Sequence, residues 1–200
     1  MGLQTTACVP FAIPPGQAAV GPTTAGASHG RNRPADKTAE YAVRAGVYPL
    51  GLVDKDQSRE LDFGVGYARE QIVRPSGHAP GQGPYAEVTA FPLRYNHRPW
   101  TTRAGVRAST ELLMLDDTSD TIGYGASLAL AFEVASFAEG VFASGGGGSF
   151  VGGAAYGENG IGAFAGVGNR QFAGDAYWVF SAGVSLRMPA TAGVICCMSY

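Results

Sequence analysis

From residue 39 onward the chain alternates large apolar residues with small or polar ones, and this two-residue period constrains the fold more than any other feature. In the run 60–70 every second residue is large and apolar, at Leu61, Phe63, Val65 and Tyr67. Successive side chains of a β-strand point to opposite faces, so such alternation is typical of strands with one apolar face. The sequence therefore predicts an all-β protein.

Similar runs follow one another along the chain, with turn-forming residues between them. They predict strands at 39–50, 60–70, 84–95, 101–115, 121–133, 161–171 and 176–188, and one more within 134–157. Consecutive hairpins of about eight strands make an antiparallel up-and-down meander, and we expect this meander to close into a single small β-barrel.

The connections between strands are predicted from proline, glycine and polar residues. Residues 71–82 are predicted as a long Gly/Pro loop, and Asn159-Gly160 as a tight turn because both positions tolerate positive φ. Residues 145–148 are all glycine, which leaves two interpretations open, a hairpin turn or a flexible part of one strand.

The chain has 200 residues, which suits one domain with two flanking segments. Residues 1–38 contain several prolines and no periodicity, which predicts an irregular Gly/Pro-rich N-terminal tail. Residues 39–188 are predicted to form the β-barrel. Residues 189–200 are predicted to form a C-terminal tail or an extra strand.

Charged residues are scarce, at 15% of the chain, and they fall mainly on the face opposite the apolar one. The rest of that face is Gly, Ala and Ser, which suits the narrow interior of a barrel of about eight strands. Its charges balance in sign, and they are Glu40, Arg44, Asp62, Arg103, Arg107, Glu111, Glu133 and Arg187. An unpaired charge in so narrow a space costs several kcal/mol, so we predict a structural network inside the lumen. The alternative is the solvated face of a soluble sheet.

Aromatic residues cluster near the predicted strand ends. They are Tyr41, Tyr48, Tyr67, Tyr85, Tyr95, Trp100, Tyr124, Tyr177 and Trp178. Tyrosine and tryptophan are enriched where a barrel meets the two membrane interfaces, so this placement predicts aromatic girdles.

The segment 181–188 carries a polar residue, a glycine two positions later and then two hydrophobic residues at alternate positions: Ser181, Gly183, Leu186 and Met188. It resembles the last-strand assembly signal of the small outer-membrane β-barrel families of Gram-negative bacteria. The resemblance implies an apolar face turned toward lipid and a location in the outer membrane. The chain departs from the family pattern because residues 189–200 follow the signal, where such barrels usually end on an aromatic residue.

The expected partners follow from this interpretation. They are the lipid bilayer of the outer membrane and other envelope proteins reached through the loops or the N-terminal tail. Residues 1–7 lack the basic and apolar regions of a secretory signal, so we expect that the signal peptide is not part of this chain. No stretch reaches the roughly 20 apolar residues of a membrane helix, which excludes a helical membrane protein.

Cysteine, histidine and net charge exclude several other classes. Cys8 could form a disulfide with Cys196 or Cys197 in an oxidising compartment, which leaves one thiol over. The three histidines, His29, His78 and His97, are scattered, and no metal-binding spacing is present. The formal net charge of −2 gives no basic face for nucleic acid. No cofactor is predicted.

The sequence predicts a structural or interaction role, with the lumen plugged by side chains, and no enzymatic activity. One alternative is a soluble lipocalin-like barrel, whose internal apolar ligand would contact Tyr41, Val43, Leu61, Phe63, Leu128 and Leu130. Another is a membrane lipid acyltransferase or lipase, for which the only candidate constellation is His97 with Ser109 and Glu111. The glycines at 145–148 lack the Lys-Ser/Thr of a phosphate loop.

Overall fold

The computed structural model describes residues 6–29, 40–56, 58–74, 77–116, 122–146, 149–172 and 175–198. These residues form ten β-strands and one 3-10 turn at Pro49–Leu52. The strands are β1 (Thr6–Ile13), β2 (Gly16–His29), β3 (Glu40–Val47), β4 (Leu61–Arg74), β5 (Gly77–His97), β6 (Trp100–Leu115), β7 (Ile122–Gly146), β8 (Ser149–Phe172), β9 (Asp175–Met188) and β10 (Ala190–Met198). In the part of the chain that these ranges cover, no helix has the length and apolar character needed to cross a membrane.

Eight of the strands, β2 to β9, form a closed antiparallel ring. Each strand pairs with the next one along the chain, and β9 pairs with β2 to complete the circle. Val20 of β2 shows the closure, because it lies opposite Val43 of β3 on one side and Val184 of β9 on the other. The prediction of an all-β antiparallel meander is therefore confirmed. The ring has the predicted number of strands, but the separate strand predicted within 134–157 is wrong, because the described residues there belong to β7 and β8, and β2 takes its place in the ring.

The same ten-stranded sheet continues past one end of the ring as four strands, and we call this part the extension. It consists of residues 138–146 of β7 and 149–157 of β8, followed by β10 and then β1. Pro14-Pro15 separates β1 from β2, and Pro189 separates β10 from β9. In β1 and β10, Cys8 and Cys196 lie directly opposite each other and form a disulfide. The ring end that carries the extension is called the terminal end below.

The prediction of an irregular tail over residues 1–38 is wrong for the part of that segment that the structure describes. Residues 6–13 and 16–29 form β1 and β2, and β2 supplies the strand that closes the ring. The weak side-chain pattern of this segment hid the strand, because β2 is held by backbone pairing to both β3 and β9. Gly21 permits this pairing, since a Cβ atom there would lie only 2.6 Å from the Cα atom of Gly183.

Two predicted connections also differ from the structure. The expected loop at 71–82 is a hairpin, in which Arg74 of β4 lies opposite Gly77 of β5 and the flanking residues belong to strands. The turn expected at Asn159-Gly160 is absent from β8, where both residues pair with β7. Residues 145–148 fall where β7 ends and β8 begins, with 147–148 outside the described residues. The C-terminal segment forms β10, which is the extra strand.

Gly157 is the residue at which β8 passes from the ring into the extension. Its φ of 125° lies in a region that residues with a side chain rarely adopt. A Cβ atom there would also lie 3.2 Å from the carbonyl oxygen of Gly51. Gly157 therefore allows this backbone conformation at the junction, while the pairing of β8 with β7 continues on both sides of it.

Substitution of this glycine tests the junction. We expect Gly157→Ala to lower the free energy of unfolding by roughly 1–3 kcal/mol, because alanine is strained at this φ. Gly140→Ala is the control, since a Cβ atom there would meet nothing within 4 Å. It should change stability by less than about 0.5 kcal/mol. Urea denaturation followed by tryptophan fluorescence measures the free energy of unfolding of both variants. Equal losses in the two variants would contradict the role of Gly157 at the junction.

Candidate functional site: a charge network inside the ring

The two faces of the ring differ in chemistry, and β6 shows the difference along its whole length. Arg103, Arg107 and Glu111 point inward and are buried. Val106 and Leu112 point outward and are exposed. The same alternation holds around the ring, where the buried side chains are largely polar or charged and the large apolar ones are exposed. A soluble sheet has the opposite arrangement, with its apolar face covered.

A first group of inward charges lies near the terminal end of the ring. Arg103 lies opposite Glu133 in the β6–β7 pairing, and their Nη2 and Oε2 atoms are 3.1 Å apart. The same guanidinium lies 2.9 Å from Oε2 of Glu158. From β9, Arg187 lies 2.6 Å from both Oδ2 of Asp62 and Oε1 of Glu133. Three carboxylates therefore share two guanidinium groups in a space that excludes solvent.

The connection between β3 and β4 covers this group and adds a third cation. Arg59 forms ion pairs with Glu158 and Asp62, and its Nη1 donates to the carbonyl oxygen of Leu50 at 3.1 Å. The backbone N–H of Tyr48 donates to the carbonyl oxygen of Pro15 at 2.9 Å. The described part of this connection thus reaches from β3 and β4 across the terminal end to Glu158 of β8.

Asp54 organises the same connection from outside the ring. Its carboxylate accepts hydrogen bonds from the backbone N–H groups of Ser58 and Arg59, at 2.9 and 2.8 Å. Partial burial acts to raise the pKa of Asp54, but these N–H donors and the nearby guanidinium of Arg59 outweigh it and lower the pKa. The ionised carboxylate therefore holds Arg59 in position.

A second group of charges lies deeper in the ring. Arg44 lies 2.9 Å from Oε2 of Glu111, and Nε of Arg170 lies 2.8 Å from Oε1 of Glu70. Arg170 also forms an ion pair with Glu111, so these pairs are joined. Gly125 stands opposite both Glu111 and Arg170, and a Cβ atom there would lie 2.7 Å from Cδ of Arg170. The absence of a side chain at Gly125 makes room for the ion pair.

Tyrosines connect the two groups. The hydroxyl of Tyr48 donates to Oε1 of Glu87 at 2.5 Å and lies 3.3 Å from the hydroxyl of Tyr85. Glu87 in turn lies 3.4 Å from Nε of Arg107. The guanidinium of Arg44 lies over the ring of Tyr85, 5.6 Å from its centre. Cation–π contacts of this kind stabilise a cation that has lost its water.

The end of the ring opposite the terminal end is filled by apolar side chains. They form one buried cluster of Leu113, Leu115, Phe172 and Val179. The interior is therefore occupied by side chains along its length, with ion pairs at the terminal end and apolar packing at the other. Such an interior acts as a packed core.

The structure brings the predicted network residues together on the inner face, apart from Glu40, whose side chain lies outside the described part of the chain. The other predicted network residues form ion pairs: Arg44, Asp62, Arg103, Arg107, Glu111, Glu133 and Arg187. The sequence interpretation missed five members, which are Arg59, Glu70, Glu87, Glu158 and Arg170. Glu70 and Arg170 lie within the predicted strands 60–70 and 161–171 at inward positions of the alternation, so following the alternation to the ends of these strands would have found them.

Among the side chains that the structure describes inside the ring, positive and negative charges are equal in number. The arginines are Arg44, Arg59, Arg103, Arg107, Arg170 and Arg187, and the carboxylates are Asp62, Glu70, Glu87, Glu111, Glu133 and Glu158. Each of these groups has an ion-pair partner within 4 Å.

The remaining sequence candidates separate in the structure. His97 is exposed at the β5–β6 hairpin and stacks on Tyr95, with ring centres 5.4 Å apart. Ser109 and Glu111 lie inside the ring, where Ser109 accepts from Arg44, so the three candidates do not form a catalytic group. Within the described ranges, no cluster of three or more His, Cys, Asp or Glu side chains could hold a metal ion.

The apolar residues proposed to line a ligand cavity point away from the interior. These residues are exposed on the outer face: Tyr41, Val43, Leu61, Phe63, Leu128 and Leu130. The aromatic residues divide between the faces. Tyr48 and Tyr85 are buried inside the ring, so their assignment to a girdle is wrong. The side chain of Tyr177 lies outside the described part. In the segment that resembles an assembly signal, Ser181 and Gly183 point inward and Leu186 and Met188 outward.

Removal of one buried charge tests the network. We expect Glu158→Gln to lower the free energy of unfolding by about 3–5 kcal/mol, because it leaves guanidinium groups buried with too few carboxylates. The control is Glu139→Gln, which removes the exposed partner of Lys55, 3.0 Å away, and should cost about 1 kcal/mol or less. Urea denaturation gives both values. Equal losses would show that the inner charges are solvated.

Comparison with known proteins adds no relative. No protein-family model matches this chain, and neither a curated protein nor a solved structure matches it.

Proposed function

We propose that this chain is a β-barrel protein of the outer membrane, with a structural or interaction role and a lumen plugged by side chains. The observation that carries the proposal is the inverted distribution of side chains. Charged groups pair inside the ring, and large apolar groups are exposed outside it. Large exposed apolar surfaces mark contact with a protein or a membrane, and an apolar surface that runs around a whole ring fits lipid.

The length of the apolar surface fits a bilayer. On β7, the outward positions from Tyr124 to Val134 carry no charge. This segment spans about 11 residues, and a tilted transmembrane strand needs about 9–11 residues. On the neighbouring β6, the outward positions from Ala104 to Met114 are likewise uncharged. Lipid chains could therefore cover this band without burying an ionised group.

Aromatic and polar residues flank the band on both sides. Near the end opposite the terminal end, Tyr41, Tyr124 and Trp178 are exposed on the outer face. At the terminal end, Tyr95 and Trp100 are exposed on the β5–β6 hairpin. These side chains suit the interface between lipid headgroups and hydrocarbon, where one end of an aromatic ring meets water.

The filled interior supports a structural or interaction role over transport. A ring of about eight strands has room only for its own side chains, and here ion pairs and apolar side chains fill that room. The disulfide between Cys8 and Cys196 suits an oxidising compartment such as the cell envelope. The soluble lipocalin-like alternative loses its main support, because the interior offers charged groups to an apolar ligand.

Refolding in the presence and absence of detergent tests the proposal. We expect the denatured chain to fold in detergent micelles and to aggregate in plain buffer, because the outer face needs an apolar partner. A folded barrel should also migrate differently on a denaturing gel before and after boiling. A monodisperse, folded protein in plain buffer would overturn the membrane assignment.

A single charge on the outer face gives a sharper test. Leu130 is 70% exposed near the middle of the band. If the band faces lipid, Leu130→Arg should lower the free energy of unfolding in bilayers by about 2–4 kcal/mol. If it faces water, the change should stay within about 0.5 kcal/mol. Val53→Arg is the control, since Val53 is 76% exposed but lies in the 48–60 connection outside the band.

A further inference from the structure

The extension leaves one long strand edge without a partner among the described residues. Strand β6 pairs with β7, and this pairing ends at Ser136 of β7, which lies opposite Trp100. Beyond that point residues 137–146 of β7 pair with β8 alone. The backbone N–H and C=O groups along the other edge of this segment therefore have no described strand to pair with. A row of such groups is a template for one more β-strand.

The edges of the extension differ in a way that selects β7. The edge strand on the far side, β1, carries Pro10 near its centre, and proline has no N–H to donate. The free part of β7 contains no proline, and its only charged residue is Glu139. Val141 on this edge is 88% exposed. Natural edge strands are usually shielded by proline, lysine or a covering segment. Lys55 of the connection reaches Glu139 at the start of the free edge, and beyond it residues 140–146 contain neither proline nor lysine.

We infer that the free edge of β7 binds an extended segment of another polypeptide, which adds to the extension as a fifth strand. Main-chain hydrogen bonds to residues 138–146 would supply the affinity, as in other cases of strand addition. This inference rests on the proposed membrane location, because that location decides which kind of occupant fits.

A second copy of the chain does not fit this edge in one bilayer. Antiparallel pairing of β7 with β7 places a two-fold axis perpendicular to the sheet, which points the two rings in opposite directions. In the parallel case the two-fold axis runs along the membrane normal between the two β7 strands. Each backbone N–H then faces the N–H of the same residue in the other copy, so neither group finds an acceptor. A head-to-tail copy would instead bring its β1 edge to β7, and Pro10 of β1, which has no N–H to donate, opposes that pairing. The occupant is therefore a different chain.

The side chains beside the edge define the chemistry of this partner. Val141 and Phe142 are exposed on opposite faces of β7, so the added strand should be small and apolar on both faces. Glu139 offers a carboxylate that is 60% exposed and lies 3.0 Å from Lys55. A basic residue near one end of the partner strand would share this carboxylate. The expected ligand is a short apolar strand with one cation.

A synthetic peptide tests the inference with the full chain in micelles. The probe has the sequence of residues 149–157, which already pairs with the other side of β7, and it carries Tyr156→Lys because Tyr156 lies opposite Glu139. Fluorescence anisotropy of the labelled peptide measures binding, and amide hydrogen exchange locates it. We expect saturable binding and slower exchange within 138–146.

Two matched variants decide whether the β7 edge is responsible. Val141→Lys should weaken binding about tenfold or more, because a lysine on an edge strand opposes strand addition and repels the cation of the peptide. Val9→Lys places the same charge on β1, where Val9 is 62% exposed, and should leave binding unchanged. No binding, or equal weakening in both variants, would overturn the inference.

Sedimentation in the same micelles separates this inference from the proposed function. A dimer that Val141→Lys dissociates would overturn the inference, because a second copy would then occupy the edge. If the chain instead folds only in plain buffer, the membrane assignment fails, and the same peptide titration there still reports on the edge.

Discussion

The interior ion pairs are the interaction on which the rest of this structure depends. Arginine and carboxylate groups from seven of the eight ring strands, together with Arg59 from a connection, meet in a space that water does not reach. Each of these charges would be costly alone, and several find a partner only when the ring closes. Arg187 of β9 illustrates this dependence, because its partners Asp62 and Glu133 belong to β4 and β7. The network therefore specifies one closed arrangement of strands.

Small residues make the network possible. Gly125 lies between Glu111 and Arg170, Gly160 lies opposite Arg187, and Gly162 lies opposite Glu133. Each long charged side chain thus extends over a neighbouring strand position that has no side chain. The high glycine content, which would weaken an ordinary sheet, follows from the need to fit paired charges into a narrow ring.

The sequence predicted an all-β fold, most of the hairpins and the majority of the inner charges, because the alternation of side chains assigns each residue to one face of its strand. It did not find β2, whose Gly, Ala and Thr residues show little pattern and whose position is set by pairing to β3 and β9. It also placed a turn at Asn159-Gly160, where the continuous ladder with β7 keeps the chain extended. Arg59 was beyond prediction, since a residue in a connection reaches Glu158 only after the ring has formed.

The order of residues is enough to specify two-faced strands, with apolar residues on one side and balanced charges among small residues on the other. Its period of two is a local property, because neighbouring side chains of an extended chain point in opposite directions. The folded arrangement of the strands places the charged face inside and selects which charges meet. It also extends four strands past the ring and leaves one edge of β7 without a partner among the described residues. These features depend on contacts between residues far apart in the chain, and no local pattern encodes such contacts.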